Sequence, residues 1–164
     1  MTIRLFGVLG IAVLLCGCGA SGLQFAQVAK PDRNKALLYV YREQTMIGII
    51  NGDVPFINLD GRRLARIRIG GYLAIPIAPG RHRLTTTESF LGKDTGKVRG
   101  ETTFTVEAGT TAYLRYTESF TSVVPIVVPH VVIVATTSEF RFDPVPEGQA
   151  LKELADTSAL QNAE

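Results

Sequence analysis

"LDGRRLARIRIGGYLAIPIAPGRHRL", Leu59 to Leu84, holds three turn dipeptides and two apolar alternations, and the conflict between them decides the fold. Asp60-Gly61 favours the positive φ angles of a type I′ turn, whose twist matches that of paired strands. A two-residue loop there places Leu59 opposite Arg62 and Phe56 opposite Ala65, so Val54, Phe56, Ala65, Ile67 and Ile69 share one face, the expected core face. The other face then carries Arg62, Arg66 and Arg68 beside Ile57 and Leu64. Were Gly70-Gly71 a second tight turn, Leu73, Ile75 and Ile77 would join the arginine face, against their apolar character. The conflict disappears if the two glycines form a bulge, or a bend that carries the next strand to a second sheet. A break in pairing is expected there. Pro79-Gly80 then forms the tip of another hairpin, with Leu73, Ile75, Ile77 and Leu84 inward and Arg81 and Arg83 outward.

Upstream, Asn51-Gly52 between "TMIGII" and "VPFINL" predicts one more tight hairpin, and "ALLYVYR" (Ala36 to Arg42) has the continuous apolar character of a central strand covered on both faces. Downstream, "LGKDTGKVRG" is expected as a Gly- and Lys-rich loop. Alternating strands follow in "ETTFTVEAGTTAYLRYTE", with a turn at Ala108-Gly109, and a last strand lies within "HVVIVATTSEFRF". In "PEGQALKELADTSAL", Ala150, Leu151, Leu154 and Ala155 form one narrow helical stripe behind Pro146. About eight short strands and one C-terminal helix predict an all-β fold, an antiparallel β-sandwich. The 164 residues suit one domain, and 17 basic against 15 acidic side chains call for no nucleic acid or other polyanion as partner.

The first residues do not fit that pattern. Arg4 precedes the apolar run Leu5 to Leu15, and small residues follow, the layout of an export signal. The run is short of the roughly 20 apolar residues that a spanning helix needs. Leu15-Cys16-Gly17-Cys18 resembles the lipobox of bacterial lipoproteins, with Leu three positions before Cys18 and a small residue just ahead of it. The resemblance implies cleavage after residue 17, a diacylglycerol on the Cys18 thiol and a further fatty acid, such as palmitate, on the new amino group. Several acyl chains anchor a protein stably, whereas one alone holds it marginally. Gly19, where Asp would retain the protein at the inner membrane, implies the periplasmic face of the outer membrane. A plain signal peptide or a signal anchor is the other reading. On the lipoprotein reading residues 1–17 are removed, residues 18–35 are a lipidated flexible tether and residues 36–164 are the sandwich with its helix. Both cysteines are then accounted for, leaving no thiol for a disulfide, a metal or a nucleophile.

"LDGRR" followed by "IPIAPGRHRLTT", after a "YVYR" first strand, is similar to PEGA-type domains and to related uncharacterised domains of bacterial lipoproteins. The likeness runs from Ala36 to Thr87 and implies a small exported β-sandwich with a binding or scaffold role. The residues themselves point the same way. His-Glu-x-x-His, Gly-x-Ser-x-Gly, P-loop and dinucleotide signatures are all absent, so no enzyme, cofactor or metal is expected. His82 and His130 read as a hydrogen-bonded strand residue and a strand-edge residue, and Asp60 and Asp94 as turn residues.

Two features are candidates for contact. Arg62, Arg66, Arg68, Arg81 and Arg83 would meet anionic envelope polymer or lipid headgroups if they converge, and are otherwise solvated strand faces. "FTSVVPIVVPHVVIV" (Phe120 to Val134) is apolar throughout, and its prolines favour an edge or loop over a central strand. Exposed, its Val123, Val124, Ile126, Val127 and Val128 would contact lipid or an envelope protein; covered, they would close the core. The first expectation is thus a non-enzymatic outer-membrane lipoprotein that contacts an envelope protein, and the alternative is a binder of anionic polymer or headgroups. A covered stretch with clustered arginines would favour the alternative, an exposed stretch with dispersed arginines the first.

Overall fold

A computed structural model describes residues 20–27, 31–45, 54–128 and 131–161, with the side chains of 120–138 left aside. Cys18, the proposed signal, the Asn51-Gly52 turn and His130 lie outside the described residues. In chain order the strands are β1 (Ala36–Arg42), β2 (Phe56–Leu59), β3 (Arg62–Arg66), β4 (Gly71–Ile77), β5 (Gly80–Phe90), β6 (Lys93–Val106), β7 (Thr111–Val128) and β8 (Val131–Pro144). A helix, α1 (Glu147–Leu154), and the short strand β9 (Ser158–Ala159) complete the fold. They form two facing sheets, β8-β7-β1-β4-β9 and β3-β2-β5-β6, an all-β sandwich with one C-terminal helix.

β1 is buried along its whole length, because both of its faces are covered. Ala36, Leu38 and Val40 face the second sheet in a core shared with Ile57, Ala65, Ile67 and Leu84. Leu37, Tyr39 and Tyr41 point the other way, under Ala150 and Leu154 of α1. Tyr39 stacks on Tyr113 at 5.2 Å between ring centroids. The helix therefore turns what would be a solvated face into a second apolar layer. Leu151 joins that layer, while Ala155, expected on the same stripe, is exposed.

The expected break at Gly70-Gly71 is where the chain crosses from one sheet to the other. Gly71 sits so close to Leu160 and the Arg68 carbonyl that a β-carbon there would collide with both. At Asp60-Gly61 the turn has φ angles of 51° and 80°, the type I′ geometry.

Other expectations need correction. Leu59 does face Arg62, but Leu64 is a bulge, so Phe56 pairs with Arg66 and Ile57 with Ala65. Ile57 is therefore in the core, and Phe56 lies on the arginine face, kept 95% buried by guanidinium groups. Those of Arg63 and Arg66 lie 4.5 and 5.4 Å from its ring. Pro79-Gly80 joins strands of different sheets, so it is an arch between layers and not a hairpin tip. The segment expected as a Gly- and Lys-rich loop is instead paired strand, closed by a turn at Leu91-Gly92. The sandwich is also not wholly antiparallel: β1 with β7 and β4 with β9 are parallel pairs. Nor is all of the expected tether free of the fold. Gln24 bridges Ser158, Phe25 packs edge-on against Tyr39 and Tyr72, and the Ala20 amide donates to the Ile69 carbonyl at 3.2 Å.

The stretch expected as an edge or loop is a ribbon. β7 pairs with β1 only through Arg115, then continues against β8 alone, from Ser122 opposite Thr137 to Val128 opposite Val131. Because β6 and β7 lie in different sheets and β8 reverses again, the β5–β6 and β7–β8 turns open at one end of the sandwich. That is the end where β1 finishes at Arg42, opposite Gly71.

Candidate functional site

At that end Arg42 and Glu118 form an ion pair of 2.9 Å with 5% and 4% of their side chains exposed. Arg42 also donates to the Ile67 carbonyl at 3.3 Å and lies 5.5 Å over the Tyr116 ring. Removing two charges from water is costly, and close pairing with further hydrogen bonds offsets that cost. A small pocket lined by Glu43, Thr45 and Thr117 opens beside the pair. Its chemistry is that of a locked ion pair.

Beneath α1 runs a polar chain. Tyr41 donates to Glu153 at 2.5 Å, and Glu153 also accepts from Arg115 at 2.9 Å and Gln149 at 2.6 Å. Arg115 lies 3.6 Å from Glu43 and 4.0 Å from Asp143. Burial, with Glu153 as acceptor, pushes the Tyr41 phenol far up, and burial with the nearby Glu153 charge raises Glu43 against the pull of Arg115. Tyr113 is pushed up to about 12 by burial and by Glu147. These phenols stay protonated and serve as donors that fasten the helix to the sheet. Among the described residues no cluster of three or more His, Cys, Asp or Glu side chains is arranged to hold a metal ion.

His82 has an acceptor at each ring nitrogen: Asp60 at 2.7 Å from Nδ1 and the Ala78 carbonyl at 2.8 Å from Nε2. Burial opposes a charge on the ring, but these two partners outweigh it and raise the pKa above its ordinary value. The Arg83 amide and His82 hold Asp60 below the usual carboxylate range. With both nitrogens engaged, the ring is a latch between the β2–β3 turn and the arch, and has no free nitrogen for accepting a substrate proton.

The structure does not bring the five candidate arginines together. Arg62, Arg81 and Arg83 lie towards the Asp60 turn, and Arg83 is spent on Glu101 through two bonds of 2.7 Å. Arg66 and Arg68 lie towards the opposite end, with Arg66 over Phe56 and within 3.3 Å of Ser89. Of the five apolar candidates, the backbones of Val123, Val124, Ile126, Val127 and Val128 belong to the ribbon.

Phe90 and Leu91, 68% and 87% exposed at the β5–β6 tip, were not signalled by the sequence as contact residues. Leu-Gly is a poor turn signature, since leucine resists the positive φ that Leu91 adopts here, 49°. Thr85 to Ser89 are polar throughout, so no apolar alternation signals that the strand extends to the tip; the run of threonines, with its β-propensity, is the one local hint.

The model of one protein family, described as "Protein of unknown function (DUF2846)", matches residues 32–129, from just before β1 to the end of β7. The ribbon's second strand, α1 and β9 lie beyond the match. Neither the curated proteins nor the solved structures contain a match.

Proposed function

The chain belongs to the DUF2846 family of proteins of unknown function, and from that premise we propose that it is a lipid-anchored envelope protein of binding or scaffold type. On this reading Cys18 carries the lipid at the periplasmic face of the outer membrane, and the β7–β8 ribbon contacts another envelope protein. The observation that carries it is the ribbon. Val123, Val124, Ile126, Val127 and Val128 run against Val131, Val132, Ile133 and Val134, so apolar residues occupy both faces of two strands that no third strand joins among the described residues. A two-stranded ribbon is marginal in water, and one apolar on both sides calls for cover. Its open edges also offer backbone groups to an added strand, a common mode of peptide capture. The dispersed arginines favour this reading over an anionic-polymer site.

The test is photo-crosslinking in intact cells from positions 126 and 127 of the full chain. One protein should be captured repeatedly from these positions and not from exposed Arg81 at the other end. Capture of nothing, or equal capture from Arg81, overturns the ribbon as the contact. Cys18→Ser should release the chain from membranes and abolish its fatty-acid label; a variant that stays bound overturns the anchor.

A further inference from the structure

The β5–β6 tip places Phe90 and Leu91 in solvent beside a set of unneutralised cations. Lys93 and Lys97 are exposed and make no ion pair with a described residue. The acids nearby are taken: Asp94 by Arg63 at 2.5 Å, and Glu88 by Arg99. Leu91 holds its place at a positive φ where Asn or Gly would be less strained. Large apolar side chains on a turn, followed by two exposed lysines, have the composition of a surface that meets the boundary between anionic headgroups and acyl chains.

The tip's position names the membrane. A β-carbon at Gly92 would lie 3.8 Å from the Arg66 guanidinium, and Arg66 ends β3 just ahead of Ile69. The Ile69 carbonyl accepts from Ala20, two residues after Cys18. Two residues of extended chain reach at most about 7 Å. Lipid on Cys18 would therefore enter the bilayer at the end of the sandwich that carries this tip.

We propose that the Leu91-Gly92 turn is a second membrane contact, in which Phe90 and Leu91 enter the leaflet that holds the Cys18 lipid while Lys93 and Lys97 face anionic headgroups. The proposal rests on the lipid anchor above. Two contacts on one end fix the orientation of the sandwich, where a lipid alone would leave it free to swing.

The chain has no tryptophan, so Phe90→Trp gives a single indole at the tip. The full lipidated chain is placed on vesicles containing an anionic lipid and brominated acyl chains, with Thr105→Trp, at the far end of β6, as reference. The Phe90→Trp emission should shift to the blue and be quenched, and the Thr105→Trp emission should not. Adding Lys93→Gln or Lys97→Gln should lower the inserted population about fivefold each. Protein that floats with the vesicles while the Phe90→Trp indole stays unquenched, whether in water or shielded by protein, overturns the tip contact and leaves the anchor standing. Protein that does not float overturns the anchor and the tip contact together.

Discussion

Arg42 and Glu118 come from β1 and β7 and meet at 2.9 Å inside the sandwich, both nearly out of reach of solvent. Breaking such a pair from one side leaves a buried charge without its counterion, at a cost of about 3–5 kcal/mol. Arg42→Met and Glu118→Leu should each lower the urea midpoint sharply. The double variant should recover most of the loss, since it buries no charge. If the single and double variants lose equal stability, the pair is not the source.

The Asp60–His82 latch predicts a dependence on pH with two limits. His82 is raised above its ordinary 6.5, so its contribution is complete below that value and is lost as pH rises through the higher folded value. Asp60 is lowered from its ordinary 3.8, so its contribution is present above 3.8 and is lost as pH falls through the lower folded value. Asp60 is half-exposed, which limits the pair to about 1 kcal/mol. Wild type should exceed His82→Gln by that amount near pH 5, and the difference should shrink towards pH 9. A constant difference across this range would exclude the latch.

Tyr113 supplies an alkaline prediction. With its folded value near 12 against an ordinary 10, the folded state keeps a proton that the unfolded chain releases, so stability falls as pH climbs past 10. Tyrosinate absorbance from Tyr113, isolated by difference against Tyr113→Phe, should appear above pH 11 or together with loss of the β-sheet circular dichroism. An ordinary titration near 10 in folded protein would contradict the buried contact with Glu147.

Gly71 is a packing prediction. A β-carbon there would strike Leu160 and the Arg68 carbonyl, so Gly71→Ala should destabilise by about 1–3 kcal/mol. Leu160→Ala in the same chain should relieve only the side-chain part of the clash, because the carbonyl cannot retreat as a rotamer can. Differential scanning calorimetry of the two variants and their combination measures both parts.

The elements legible in the sequence were those set by local chemistry. Asp60-Gly61 has one favoured turn, the Gly70-Gly71 conflict called for a break in pairing, which the structure resolves as a crossing to the second sheet, and "ALLYVYR" announced burial on both faces. The misplaced residues depended on distant partners. Nothing near Leu64 marks it as a bulge, since it is the packing of Ile57, Leu64 and Ala65 into one core that selects the shifted register. Parallel pairing of β1 with β7 joins Leu37 to Thr111 and has no local signature. The contact residues divide in the same way. The ribbon was visible as composition, whereas the exposure of Phe90 follows from a turn that leucine makes against its preference.

The bridge from Gln24 to Ser158 joins the first described stretch of the molecule to the last. β9 finishes the outer edge of its sheet and at the same time receives the Leu23-Gln24 segment, so neither can settle until the carboxyl-terminal residues have emerged. With closures this distant, folding is governed by slow long-range pairing rather than by local nuclei. Maturation therefore waits for the whole polypeptide, and a product cut short after Leu154 would lack β9 and be left as an unfinished target for proteases.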